Sequence, residues 1–256
     1  MRMAVEIPFN SLTGYLELMK DEIHVFHSSL DLSPVLRKQL EETLSADEWR
    51  RAAHFHFEKD RNRFVTGRGF LRKILGWLLR LPPSSLIFCY GPHGKPQLAA
   101  PTVGHLLHFN VAHSDSIGVY AVSRGFEVGI DLERIRHIPE AGQIAAKFFS
   151  DCEAAQWHTL PPDQQIGFFF DCWTRKEAYL KATGQGFSGL LKQNQASFTI
   201  TQTSKWLMLG GGLPMDPSWF FCPLKLVSGY AGAVVARNQR SHVVNWVWDM
   251  EMTLTL

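Results

Sequence analysis

The segment Trp173-Thr174-Arg175-Lys176-Glu177-Ala178-Tyr179-Leu180-Lys181 sets a carboxylate on a helix face that should be apolar. Ile166, Phe170, Trp173, Glu177 and Leu180 recur at steps of four, three, four and three, one stripe of an amphipathic helix. Glu177 therefore shares its face with core residues. A buried carboxylate without a partner is costly, so it must take a proton or find a cation. Lys181 stands at i,i+4 in the favoured order, but such a pair is worth only about 0.3–0.5 kcal/mol on an exposed helix. Trp173 and Leu180 argue that this face is not exposed. A cation site shared with other acids is the second solution.

Those acids are at hand in Val128-Gly129-Ile130-Asp131-Leu132-Glu133. In a strand Val128, Ile130 and Leu132 face one way and Gly129, Asp131 and Glu133 the other, with Asp131 and Glu133 about 6–7 Å apart. The plain alternative is that the two acids lie on the wet face of a half-exposed hairpin. With Glu177 added, three carboxylates suit a hard cation, Mg²⁺ or Mn²⁺ rather than zinc, and a phosphate can complete its shell. Basic groups surround this set. Lys176 and Lys181 flank Glu177 as point charges for phosphate oxygens, or as solvated helix lysines. His113 lies in a polar turn with Ser114 and Asp115, placed to donate to phosphate or to move a proton. A Ser-His-Asp triad is excluded, because adjacent residues do not reach its geometry. Lys95 is presented by Gly91-Pro92-His93-Gly94-Lys95-Pro96, a turn-rich loop without P-loop spacing. Arg61, Arg63, Arg68, Arg72 and Lys73 make one helix basic, mostly as a solvated face with one or two members reserved for an anion. A carboxylate-held divalent ion ringed by Lys95, His113, Lys176 and Lys181 fits a polyphosphate substrate.

The elements that must position these groups are readable from periodicity and punctuation. Ile23 to Phe26 reads as a strand. Ser45-Ala46-Asp47-Glu48 is a capping box that opens a helix to about Phe55. A longer helix runs from about Asp60 to Leu81 and is halted by Pro82-Pro83. Strands are expected at 86–90 and 106–110, followed by a turn at 111–116. Residues 117–123 and 127–135 then form a hairpin around Arg124-Gly125. Helices follow near 140–149, 151–159 and 164–182, the last stopped by Gly184. Short strands are expected at 196–201, 205–209, 219–222 and 229–236, with 243–248 as an edge strand. A sheet and a long helix occur before residue 120 and again after it, which hints at two similar halves.

Composition limits the function classes. The 256 residues carry 45% hydrophobic and 20% charged residues, ordinary for a soluble globular protein of one large domain or two small ones. A formal charge of +2 is too mild to indicate nucleic acid. No apolar run reaches the ~18 residues of a membrane span, and the first residues do not read as a signal peptide. Cys89, Cys152, Cys172 and Cys222 are scattered and read as buried, reduced thiols of a cytoplasmic protein. Eleven histidines form no helical zinc pair.

Four motifs in order then match a known family: Phe109-Asn110-Val111-Ala112-His113-Ser114, Val128 to Glu133, Phe148-Phe149-Ser150, and Trp173 to Lys181. With the Gly94-Lys95-Pro96 loop and the arginine-rich helix, residues 45–235 resemble the 4'-phosphopantetheinyl transferases of the Sfp type. The resemblance implies an α+β fold, a pseudo-dimer of two similar subdomains divided at 1–123 and 124–256, with coenzyme A in the cleft between them. It implies Mg²⁺ held by Asp131, Glu133 and Glu177, with Glu177, His113 and Lys181 as catalytic residues. It further implies coenzyme A contacts from Arg51, Arg63, Tyr90, Lys95, Pro96, Asn110, His113, Lys176 and Lys181. Among these, Arg51 and, as a weaker match, Arg63 stand near the 3'-phosphate. The implied protein is a cytoplasmic monomer whose partner is an acyl or peptidyl carrier protein, with no nucleic acid and no membrane. One departure stands out: the family usually has Ser or Thr before the motif histidine, where this chain has Ala112. The lost hydroxyl contact is expected to weaken coenzyme A binding by about 1 kcal/mol.

Overall fold

The computed structural model describes residues 5–8, 18–99, 107–184 and 218–249. The first half contains β1 (Val5–Pro8), β2 (Glu22–Ser29), α1 (Pro34–Glu41), α2 (Ala46–Ala53) and α3 (Glu58–Leu79), then β3 (Phe88–Tyr90), β4 (Pro96–Leu98), β5 (Leu107–Ser114) and β6 (Ile117–Arg124). The second contains β7 (Val128–Arg134), α4 (Ala141–Phe148), α5 (Asp151–Thr159), α6 (Pro162–Thr183), β8 (Phe220–Leu224), β9 (Tyr230–Ala236) and β10 (His242–Asp249). The expected strands at 196–201 and 205–209 lie outside the described residues.

Each half pairs a sheet with one helix of 22 residues. In the first, Phe70, Leu71, Ile74 and Leu75 of α3 pack on Phe26, Phe109, Tyr120 and Val122 of the sheet. α3 ends in a left-handed Arg80 (φ 57°) just before the prolines that prevent its continuation. In the second half, Ala178 and Ala182 of α6 lie on Ala233 and Val235 of β9. α6 starts at Pro162 and stops at Gly184, whose φ of 70° a glycine adopts at no steric cost. The capping box at Ser45 forms as expected, with Glu48 Oε2 accepting from the Ser45 N–H at 3.0 Å.

Four expectations are corrected. β6 and β7 do not pair as a hairpin: β6 lies between β2 and β5, whereas β7 joins β9 in a separate three-stranded sheet. Gly125 (φ 84°) turns the chain, but it passes from one sheet to the other. β10 is not an edge strand: it inserts in parallel between β1 and β2 of the first sheet, so the chain returns to its first half after building its second. A cut at 123/124 thus separates β10 from the sheet in which it lies. Finally, β5 continues through His113, which stands on a strand paired with Gly118 and not in the turn. Of the four cysteines, Cys89 and Cys152 are exposed rather than buried.

The halves meet where β5 lies alongside β7. No backbone ladder is assigned between these strands; side chains of β5 reach across instead. Asn110 Oδ1 accepts the Ile130 N–H at 2.8 Å, and Ser114 Oγ accepts the Arg134 N–H at 3.0 Å. This seam fixes β7, and with it Asp131 and Glu133, against the first half.

Candidate active site

Two elements of the second half carry the acids. β7 and α6 touch backbone to backbone at Gly129, where a Cβ would come within 2.0 Å of Ala178 O and 2.4 Å of Ala182 N. Only glycine permits that approach. It brings the last turns of α6 beside Asp131, and Lys181 Nζ lies 2.6 Å from Asp131 Oδ1. Asp131 is 4% exposed, and its Oδ2 has no hydrogen-bond partner among the described residues. Burial pushes its carboxyl up to about 7, against the pull of Lys181, with Glu133 and Glu177 adding to the rise. Burial also raises the Glu177 carboxyl, opposed by Lys181 and reinforced by Glu133. Glu133 Oε2 accepts from Ser114 Oγ at 2.9 Å. Three carboxylates and one lysine thus share one electrostatic neighbourhood.

Their donor chemistry suits a hard cation. Oxygen is the only ligand type offered, and the orphaned Oδ2 of Asp131 is a buried acceptor without a donor. Among the described residues no three His, Cys, Asp or Glu side chains already converge on a point that an ion could occupy. Lys181 supplies the positive charge instead. The acids fit a divalent ion in kind, at positions still to be drawn together.

Next to this cluster a cleft of about 450 Å³ opens in the first half, walled by Arg51, Arg63, Phe64, Arg68, Pro96 and His113. Ala112 reaches the same wall but is 6% exposed and packs with Ile23, Val25 and Val119. His113 is exposed at the cleft edge, where partial desolvation of its ring, with Lys181 and Arg63 nearby, holds the imidazole below the usual range, against Glu133. Arg51 lies 5.4 Å from the Phe64 ring and 5.9 Å from the Tyr90 ring. Tyr90 pairs with Pro96 across the β3–β4 hairpin. An arginine-rimmed cleft with aromatic and aliphatic walls suits a flat ring bearing phosphates.

The structure redirects four residues of the sequence reading. Lys176 is 1% exposed, its ammonium 2.9 Å from Glu153 Oε2, so it faces α5 and not the phosphate side. The same Glu153 oxygen caps α5 by accepting the Ser150 N–H. Asn110 is committed to the Ile130 N–H. Lys95 turns away from the cleft to the carbonyls of Lys181 and Val128, at 2.6 and 3.4 Å. Arg63 holds both oxygens of Asp31 at 2.7 Å and Asp115 at 2.9 Å. Asp115 also receives Arg134, which links the halves at the cleft mouth.

Arg68, one of several basic residues on α3, carries no individual role in the sequence. It lines the cleft at 9% exposure, stacked on Phe88 and Tyr90, and its Nη1 has no hydrogen-bond partner among the described residues. The signal lay in its spacing: Arg68 and Arg72, four apart, share the face of α3 that carries Leu71 and Leu75 into the core.

Comparison with known proteins supports the two-half α+β arrangement. Residues 127–235 match the 4'-phosphopantetheinyl transferase superfamily, and residues 35–124 match the N-terminal 4'-phosphopantetheinyl transferase model. The chain is 38% identical over 204 residues to the 4'-phosphopantetheinyl transferase HetI of Nostoc sp. (strain PCC 7120), covering 80% of this chain and 83% of HetI. It is 35% identical over 152 residues to the transferase gsp of Aneurinibacillus migulanus, covering 57% and 61%. It is 28% identical over 145 residues to Sfp of Bacillus subtilis (strain 168), covering 57% and 62%. The chain belongs to the 4'-phosphopantetheinyl transferase family.

Proposed function

We propose that this protein transfers the 4'-phosphopantetheine group of coenzyme A to a serine of an acyl or peptidyl carrier protein. The observation that carries the reading is the juxtaposition of Asp131, Glu133, Glu177 and Lys181 with the arginine-walled cleft. The nucleotide lies in the cleft beside Arg51 and Arg68, with the adenine against the Phe64 and Tyr90 side. His113, at the cleft edge nearest Lys181 and Glu133, donates to a phosphate oxygen.

The carrier serine oxygen attacks the phosphorus that bears pantetheine. The phosphoanhydride bond breaks, and adenosine 3',5'-bisphosphate leaves. Lys181 and His113 offset the charge that develops on the phosphate oxygens. Glu177 accepts the serine proton, a task suited to a carboxylate whose proton affinity burial has raised. Asp131, Glu133 and Glu177 would hold Mg²⁺ or Mn²⁺, which supplies Lewis-acid charge neutralisation at the pyrophosphate when bound. The protein acts as a cytoplasmic monomer.

The test is the intact mass of apo carrier proteins after incubation with this protein, coenzyme A and Mg²⁺. One phosphopantetheine is gained; the gain disappears with EDTA and in Glu177→Gln. Coenzyme A binding without transfer to any carrier would replace the transferase by a binding module. Cleavage of coenzyme A without a carrier would indicate a hydrolase.

A further inference from the structure

Lys95 stands between two residues that line the cleft, Gly94 and Pro96, yet its ammonium leaves that wall for the second half. The loop that presents it is rigid. Gly91 N–H donates to Lys95 O at 3.0 Å, Gly94 N–H donates to Gly91 O at 2.9 Å, and Gly94 holds a φ of 75°. Pro96 then enters β4, paired with Tyr90. The backbone beneath the side chain is thus fixed, and the direction of the side chain is set by the two carbonyls that its ammonium reaches.

Its destination is the crossing of β7 and α6. Nζ lies 2.6 Å from the carbonyl oxygen of Lys181 and 3.4 Å from that of Val128. Val128 immediately precedes Gly129, the point of closest backbone contact, and Lys181 immediately precedes Ala182, which that glycine touches. One ammonium therefore spans the two elements on which Asp131, Glu133, Glu177 and Lys181 are mounted. Lys181 is held at both ends: its carbonyl by Lys95, and its side chain by Asp131 at 2.6 Å. A cation at the last turn of a helix also meets carbonyls that have no intrahelical donor.

We propose that Lys95 is a positioning residue for the transfer reaction, a cross-half clamp that fixes the last turn of α6 on β7 and thereby aims Lys181, and not a ligand of the nucleotide. The inference rests on the transferase reading for its kinetic consequences. Its structural content stands without that reading.

The experiment compares Lys95→Met and Lys95→Arg with wild type in the full chain. In the ligand-free protein, amide hydrogen exchange over residues 180–184 becomes about tenfold faster in Lys95→Met, and Lys95→Arg recovers most of the protection. In carrier-protein transfer assays, Lys95→Met lowers kcat about tenfold or more while KM for coenzyme A changes less than about threefold. In a Lys181→Ala background, Lys95→Met costs less than about twofold more, because its effect passes through Lys181. Three results would overturn the proposal: a raised KM with kcat intact, unchanged exchange in the last turn of α6, or full additivity with Lys181→Ala. Wild-type protein that transfers nothing would sink the transferase reading alone, and the exchange measurement would still decide the clamp.

Discussion

Arg68 is stacked on Phe88 and Tyr90 with Nε 3.4 Å from Glu48 Oε1 and with Nη1 unpartnered among the described residues, while Arg72, one turn along α3, is held by Glu48 and the carbonyls of Pro83 and Leu86. A buried guanidinium nitrogen without an acceptor is costly, and an anion in the cleft removes that cost. Arg68→Met should weaken coenzyme A binding by about ten- to a hundredfold, as expected for a charge-assisted hydrogen bond. Titration calorimetry checks it, and an unchanged Kd would make Arg68 a purely structural cation. Lys176 shows the converse. Its place beside Glu177 suggested phosphate, but Glu153 arrives from α5 to pair with it. A partner 23 positions away is invisible to any helical spacing rule, and the rule also misjudged the face: Lys176 is buried, whereas Glu177 is only half-buried.

At the scale of elements, contact between β7 and α6 depends on the missing side chain of Gly129. Gly129→Ala forces a methyl into the backbone of α6 and should cost about 3 kcal/mol or more, with loss of transfer. Urea denaturation measures the first effect and the carrier mass assay the second. The pairing of β2 with β10 carries a pH dependence. Trp246 Nε1 donates to His24 Nδ1 at 2.8 Å, a bond that a doubly protonated imidazole cannot accept, and Nε2 faces Glu22 Oε2 at 2.9 Å. Burial lowers the proton affinity of His24, opposed by Glu22 and assisted by His242. The unfolded chain therefore takes up this proton first. Stability is fully present above the ordinary histidine range and falls as pH drops through it. His27, also lowered by burial, acts in the same direction. Thermal melts against pH should show a shallower slope in His24→Gln, with Trp246 fluorescence reporting the strand; equal slopes would acquit His24.

At the scale of the molecule, the two halves share one core besides the cluster that each packs under its own long helix. Ile23, Val25, Val119 and Ala121 of the first sheet pack with Val128, Ile130, Leu132 and Val234 of the second. β10 returns to the first sheet, so neither half is complete when the chain is cut near 124. Unfolding should be a single transition, with coincident midpoints by far-ultraviolet circular dichroism and tryptophan fluorescence. Residues 1–124 alone should expose apolar surface and bind a hydrophobic dye. Two separated transitions would show that the halves are independent domains.

The sequence by itself determined the elements that carry the site and the way their residues face. The alternation in β7, the capping box at Ser45 and the glycine stop at Gly184 are local patterns, set by the strand period and by backbone sterics, whereas the α6 stripe holds only in part, with Phe170 and Leu180 buried and Glu177 half-buried. Its motifs also led to the family. Only the tertiary structure decided which partners those residues have: β10 between β1 and β2, Lys176 with Glu153, Lys95 on the carbonyl of Lys181, and Arg68 turned into the cleft. The reason is physical. A side chain's direction follows from the few bonds around it, but its partner is chosen by the packing of segments far apart in the chain, where burial penalises every polar group left unpaired.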